Sequence, residues 1–139
     1  MAPVTIFTEA EYTYLDTASV GRLATIGPSG APQNHPVWFR VDRATGTIDV
    51  GALDLRGSQK FRNVTADPRV SLVVDQEAAE PLWPGGDRGR GVEVRGAVEI
   101  VRRDPPLFPG FGPDVFRIRP RRIVAWNLDG PGYNNRTPG

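Results

Sequence analysis

The sequence predicts a mainly β fold: six antiparallel strands closed into a small barrel, with short helices confined to its periphery. Three observations predict it. Apolar residues recur at every second position in run after run, the period of a strand with one buried face. Turn-forming pairs such as Gly27-Pro28, Asp67-Pro68 and Pro109-Gly110 punctuate these runs at intervals that suit antiparallel neighbours. Only two short stretches carry helix caps, too little helix to cover a flat sheet of six strands, so closure is the way to bury its apolar face.

Taken in order, Thr8-Glu9-Ala10-Glu11 opens a short helix with the capping-box spacing, and Tyr12 and Leu15 continue its apolar side. Val20 to Ile26 reads as a strand closed by Gly27-Pro28-Ser29-Gly30. Pro32 to Val41 follows, with Val37, Phe39 and Val41 alternating against Trp38 and Arg40. A turn at Asp42 to Gly46 leads into Thr47 to Gly51, so the fold begins as an antiparallel meander. Ser58 caps a second short helix, Asp67-Pro68 turns the chain, and Val70 to Val74, apolar on both faces, reads as a central strand. Pro81 to Arg90 is a loop. Val92 to Ile100 alternates with Glu93, Arg95 and Glu99, a strand with one wet face. Asp104 to Pro113, rich in proline and glycine, is a loop before a last strand from about Val115 to Leu128, where Pro120 calls for an edge or a bulge. Residues 1–129 make one domain on this pattern, and 130–139 a flexible tail. The expected interior comprises Leu23 or Ala24, Val37, Phe39, Val50, Leu72, Val74, Val94 and Ile123.

Composition narrows the chemistry. The 139 residues contain no cysteine, which excludes disulfides, thiolate zinc sites and cysteine nucleophiles. His35 is the only histidine, so multi-histidine metal sites are excluded; one residue before Pro36, it is either a proton donor or a hydrogen-bonded structural residue. A net charge of +1 gives no bulk attraction to nucleic acid or membrane, and no apolar run approaches the ~20 residues of a membrane span. The N-terminus shows no secretory signal, so a cytoplasmic protein is expected. The sequence carries no Gly-x-Ser-x-Gly elbow, P-loop or Gly-x-Gly-x-x-Gly after a strand. The pairs Glu9 and Glu11, and Glu77 and Glu80, fall in a helix start and a loop, where they read as solvated surface. A chain with so few nucleophiles and bases either binds something or lets a cofactor supply the reactivity.

The stretch Ser58-Gln59-Lys60-Phe61-Arg62-Asn63-Val64 is the most informative. Lys60 is the only lysine among 17 basic residues and lies in the first turn of the capped helix. Free N–H groups and the helix dipole favour an anion there. Lys60 therefore belongs to a phosphate-binding corner, or is an ordinary surface lysine on a connecting helix.

Several segments resemble one family. Val20-Gly21-Arg22-Leu23-Ala24-Thr25-Ile26 through Gln33 looks like the opening hairpin of the FMN-binding split β-barrels that include pyridoxamine 5′-phosphate oxidase. Lys60-Phe61-Arg62-Asn63-Val64 followed by Asp67-Pro68-Arg69-Val70 resembles the helix, turn and strand of the same family. Arg90 to Gly96, Pro109 to Pro113 and Arg117 to Trp126 are similar to its later segments, and together point to its actinobacterial branch of deazaflavin (coenzyme F420)-dependent oxidoreductases. The resemblance spans roughly residues 5 to 129. It implies a homodimer with two cofactor sites at the subunit interface, and transfer of a hydride between coenzyme F420, or alternatively FMN, and a small unsaturated or heteroaromatic substrate. It assigns phosphate binding to Ser58, Gln59 and Lys60 with Arg56 helping. The strand through Asn34, His35, Pro36, Val37 and Trp38 would face the ring, and Trp126 would line the pocket or reach it from the partner chain. The sequence departs from the family pattern at Gly57 and Gln59, where relatives carry basic residues. It departs again at Trp38, where they hold a small residue, and at Asn127, where they hold glycine.

Two other classes fit the residues. A flavin-binding barrel without turnover keeps the fold and drops the reaction. A nucleic-acid-binding barrel would use Trp38, Arg40, Arg117, Arg119 and Trp126, but carboxylates interspersed among the arginines leave no basic stripe.

Overall fold

The computed structural model describes residues 6–138. The first helix, α1 (Glu9–Thr17), starts at the predicted capping box: the Thr8 hydroxyl accepts from Glu11 N–H at 3.1 Å, and the Glu11 carboxylate accepts from Thr8 N–H at 3.0 Å. The strands are β1 (Val20–Ile26), β2 (Pro32–Asp42), β3 (Thr47–Gly51), β4 (Arg69–Glu77), β5 (Gly89–Arg102), β6 (Asp114–Trp126) and β7 (Tyr133–Arg136), with α2 (Gln59–Ala66) between β3 and β4. All pairings are antiparallel, in the order β3-β2-β1-β4-β5-β6-β7, and β3 pairs again with β6 to close a six-stranded barrel.

Closure follows from the alternation. Leu23, Val37, Phe39, Val50, Leu72, Val74, Val94 and Ile123 all lie inside, at no more than 5% exposure, joined by Phe116 and Ile118 from β6. Ala24, the alternative to Leu23, faces outward and is half-buried. Removing side chains such as Phe39 and Phe116 from water contributes about 1.5–3 kcal/mol each. Pro120 falls at the predicted irregularity. Arg95 pairs with Arg122 and Gly96 with Pro120, so β6 carries Arg121 as an extra residue, and the ladder needs no N–H from the proline. Gly96 permits this bulge because a Cβ there would lie 2.2 Å from the Arg119 carbonyl oxygen.

The C-terminal segment differs from the expectation of a flexible tail. Tyr133–Arg136 pair with Ile123–Trp126 as β7, on the same edge of β6 whose first half, Phe116–Ile118, pairs with β3. The free ladder groups of a strand edge that β3 is too short to cover are thereby satisfied. Gly139, the last residue of that segment, lies outside the described residues.

Candidate functional site

The chain between β3 and α2 is tied locally. Gly57 N–H donates to the Asp54 carboxylate at 3.1 Å and Ser58 N–H to the Leu55 carbonyl at 3.1 Å, which turns the chain into the helix. The Ser58 hydroxyl accepts from Phe61 N–H at 3.2 Å and donates to the Leu55 carbonyl at 2.6 Å. It is the predicted cap, and its one proton is already spent. The N–H groups of Gln59 and Lys60, in the first turn, have no helical acceptor.

The two cations named for this corner are held differently. Lys60 is half-buried and forms no ion pair among the described residues. Arg56 is committed: its Nη2 and Nε donate to Asp114 of β6 at 2.9 and 3.3 Å, and its guanidinium lies 5.0 Å from the centre of the Phe61 ring. The Asp114 side chain is only 10% exposed, so a carboxylate there requires a cation, and the hydrogen bond from Arg56 holds its pKa below the ordinary carboxylate value. Gln59 is also occupied, donating to Asn63 at 2.9 Å and accepting from Arg62.

Asn63 is the residue that sequence reasoning missed. It is buried, and its amide donates to the Thr25 hydroxyl at 2.9 Å and to the Gln33 side chain at 2.8 Å, clamping α2 onto β1 and β2. An asparagine beside Val64 on the packed side of a short helix was the available signal. Lys60 lies three residues earlier, hence on the same helix face. Through Asn63 that face meets Gln33, the residue before Asn34 on β2.

Along β2 the residues expected to face a ring divide between two faces. Asn34, Pro36 and Trp38 point outward, beside Ala24, Arg22 and Val20 of β1. Val37 points into the barrel at 5% exposure, so only its backbone can line a site; strict alternation imposes this. His35 is exposed at the rim, opposite Leu23. Trp38 is 48% exposed and meets the Phe108 ring edge-on at 5.9 Å. Across the outer face of β1, β4 and β5 runs an open groove of about 400 Å³, with Ala24, Ile26 and Pro32 on its floor and Arg69, Arg95 and Arg121 around it.

Trp126 is not part of this corner within one chain. It ends β6 while Asp114 begins it, and it packs 6.3 Å from the Tyr133 ring. The next residue, Asn127, has φ +58°, a conformation glycine adopts freely and asparagine tolerates, and its amide donates to the Gly89 carbonyl at 2.7 Å. Among the described residues no cluster of His, Asp or Glu could hold a metal ion, and no helix is long and apolar enough to cross a membrane.

Comparison with known proteins places this geometry in context. The sequence profile described as pyridoxamine 5′-phosphate oxidase matches residues 7–127. A 5a,11a-dehydrotetracycline/5a,11a-dehydrooxytetracycline reductase of Streptomyces rimosus is 38% identical over 130 residues, covering 89% of this chain and 85% of its own. Among solved structures, an F420 reductase is 28% identical with a TM-score of 0.59, covering 84% of this chain and 98% of its own. The FAD-binding protein of Mycobacterium smegmatis shares the fold at 21% identity and a TM-score of 0.61, with 86% and 94% of the two chains covered.

Proposed function

The chain belongs to the pyridoxamine 5′-phosphate oxidase family, and from that premise we propose that it is an oxidoreductase moving a hydride between coenzyme F420 and a small conjugated substrate. The observation that carries this is the 38% identity, over nearly the whole chain, to a reductase of dehydrotetracyclines. The Ser58–Lys60 corner supports it. Lys60, free of any carboxylate among the described residues, and the first-turn N–H groups of Gln59 and Lys60 form a donor set that fits a phosphate. When bound, the deazaflavin ring supplies the hydride chemistry. Lys60 then holds the anionic end of the cofactor, Asn63 keeps the helix that carries Lys60 fixed on β1 and β2, and the outer face of β2 around Asn34, Pro36 and Trp38 orients the ring. His35 alternates to the opposite face of β2 from Asn34 and Pro36, so its side chain does not point at a ring held on the outer face.

One observation favours a second cofactor. With Arg56 paired to Asp114, one lysine is left at the corner, which suits the shorter tail of FMN. Both cofactors are to be titrated against the native protein and Lys60→Ala, following absorbance and fluorescence. The variant should bind the cognate cofactor more weakly by about 1–3 kcal/mol, as for losing a hydrogen bond to a charged group, with its melting temperature unchanged. Equal affinity in the two proteins would remove the site.

A further inference from the structure

We propose that the outer face of β2, where Trp38 and Arg40 flank the Phe108 ring, is a binding subsite for a planar conjugated anion, an aromatic carboxylate or phenolate. Alternation sets Trp38 and Arg40 on the same outward face of β2. The loop between β5 and β6 delivers Phe108 between them. Its ring lies 5.9 Å from Trp38, and the Arg40 guanidinium carbon sits 4.4 Å from its centre. The loop is held in place: Phe111 packs 5.3 Å behind Phe108, Gly112 N–H donates to the Ala52 carbonyl at 3.2 Å, and Arg103 N–H donates to the Pro113 carbonyl at 2.8 Å.

The charge arrangement at Arg40 points to a ligand. Its cross-strand neighbour on β3 is Asp49, the expected partner. Yet both Asp49 oxygens are taken, by Arg117 at 2.9 and 3.0 Å and by Arg103 at 3.1 Å. Asp16, which lines both neighbouring grooves, accepts from Arg43 at 2.9 Å through Oδ2, and Asp42 uses one oxygen to accept from Ala44 N–H. The Arg40 guanidinium has no ion pair and no hydrogen bond among the described residues; it lies over the Phe108 ring face. It stands where two grooves meet. One, of about 480 Å³, runs between the end of α1, with Asp16, and Phe108; the other, of about 430 Å³, is lined by Arg43, Arg103 and Arg117 together with Asp16, Asp42 and Asp49, of which Asp16 and Asp49 are paired with those arginines. A planar body can lie in the first with its anionic group turned to Arg40 and the second, where the planar guanidinium fork suits a carboxylate.

This deepens the reductase function by naming a substrate class and rests on it only for the word substrate, because binding can be read without cofactor. The probes are 2-naphthoate and its neutral isostere 2-naphthamide, measured by calorimetry against the native protein, Arg40→Gln and Phe108→Ala. Naphthoate should bind at low millimolar concentration or better and more tightly than the amide. Arg40→Gln should weaken naphthoate by roughly tenfold or more and leave the amide unchanged, and Phe108→Ala should weaken both. No binding of naphthoate, equal binding of the two probes, or indifference to Arg40→Gln would overturn the subsite. Should Arg40→Gln fold poorly, Arg40→Lys, which keeps the charge and loses the fork, is expected to fall between, and native affinity in it would count against the geometry. A parallel F420 titration separates the two proposals: unchanged F420 affinity with naphthoate binding absent refutes the subsite alone, and the reverse refutes the cofactor assignment alone.

Discussion

Arg136 of β7 holds Glu11 of α1 across 125 residues of chain: its Nη1 donates to Glu11 Oε2 at 3.0 Å, and its Nη2 reaches Oε1. Glu11 is fully buried, and Thr8 N–H supplies a further donor. A carboxylate so far from water is tolerable only while the guanidinium is present. The capping box, a local motif, thus depends on a strand at the other end of the sequence. Arg136→Ala should lower stability by about 3–5 kcal/mol, the cost of leaving a buried charge unpaired. Urea denaturation of the native protein, Arg136→Ala and the double variant Glu11→Gln/Arg136→Met would test it, with the double variant recovering part of the loss.

The amide of Asn63 anchors the helix that carries Lys60. Asn63→Ala removes three side-chain hydrogen bonds, stranding the Thr25 hydroxyl and the Gln33 carbonyl and releasing the Gln59 amide. A loss of about 1–3 kcal/mol is expected. Unlike Lys60→Ala, this variant should lose stability and cofactor affinity together, read from a denaturant midpoint and a cofactor titration on one sample.

Acid should weaken the tie between Arg56 and Asp114. The pKa of Asp114 in the folded chain lies below its ordinary 3.8, chiefly through the hydrogen bond from Arg56. Its stabilising contribution is therefore complete above the unfolded value and is lost as pH falls through the native one. Melting temperature measured from pH 6 down to about pH 3 should fall more steeply for the native protein than for Asp114→Asn. Parallel curves would show that the pair contributes nothing to pH-dependent stability.

A homodimer is expected through the outer face of β1, β4, β5 and β6. Val20 is 45% exposed there, and Ala24, Val73 and Val124 are half-buried on the same side. Covering this face with a second copy under two-fold symmetry is the simplest solution, and it would bury more than about 1,000 Å². Sedimentation should show a dimer at micromolar concentration and a shift towards monomer in Val20→Asp. A native protein that sediments as a monomer would contradict the assembly, and with it any role for Trp126 from a partner chain.

Local physics was legible in the sequence. Val20 to Ile26 forms the strand that its alternation predicts, Ser58 caps the helix that its hydroxyl marks, and the interior residues from Leu23 to Ile123 lie inside because side chains alternate faces whatever the fold. The same rule explains why Val37 cannot offer its side chain to a ring on the outer face. Partner choice was not legible. Whether Arg56 meets a phosphate or Asp114, whether Asn63 faces solvent or the Thr25–Gln33 pair, and whether Arg40 finds Asp49 or Phe108 each depends on which distant segments closure brings together. Tyr133 to Arg136 lacks the apolar alternation that marks a strand, and only the uncovered edge of β6 and the buried charge of Glu11 recruit it. Periodicity and capping are set within a few residues of chain, whereas the pairing of polar side chains is set by what else has lost its water nearby.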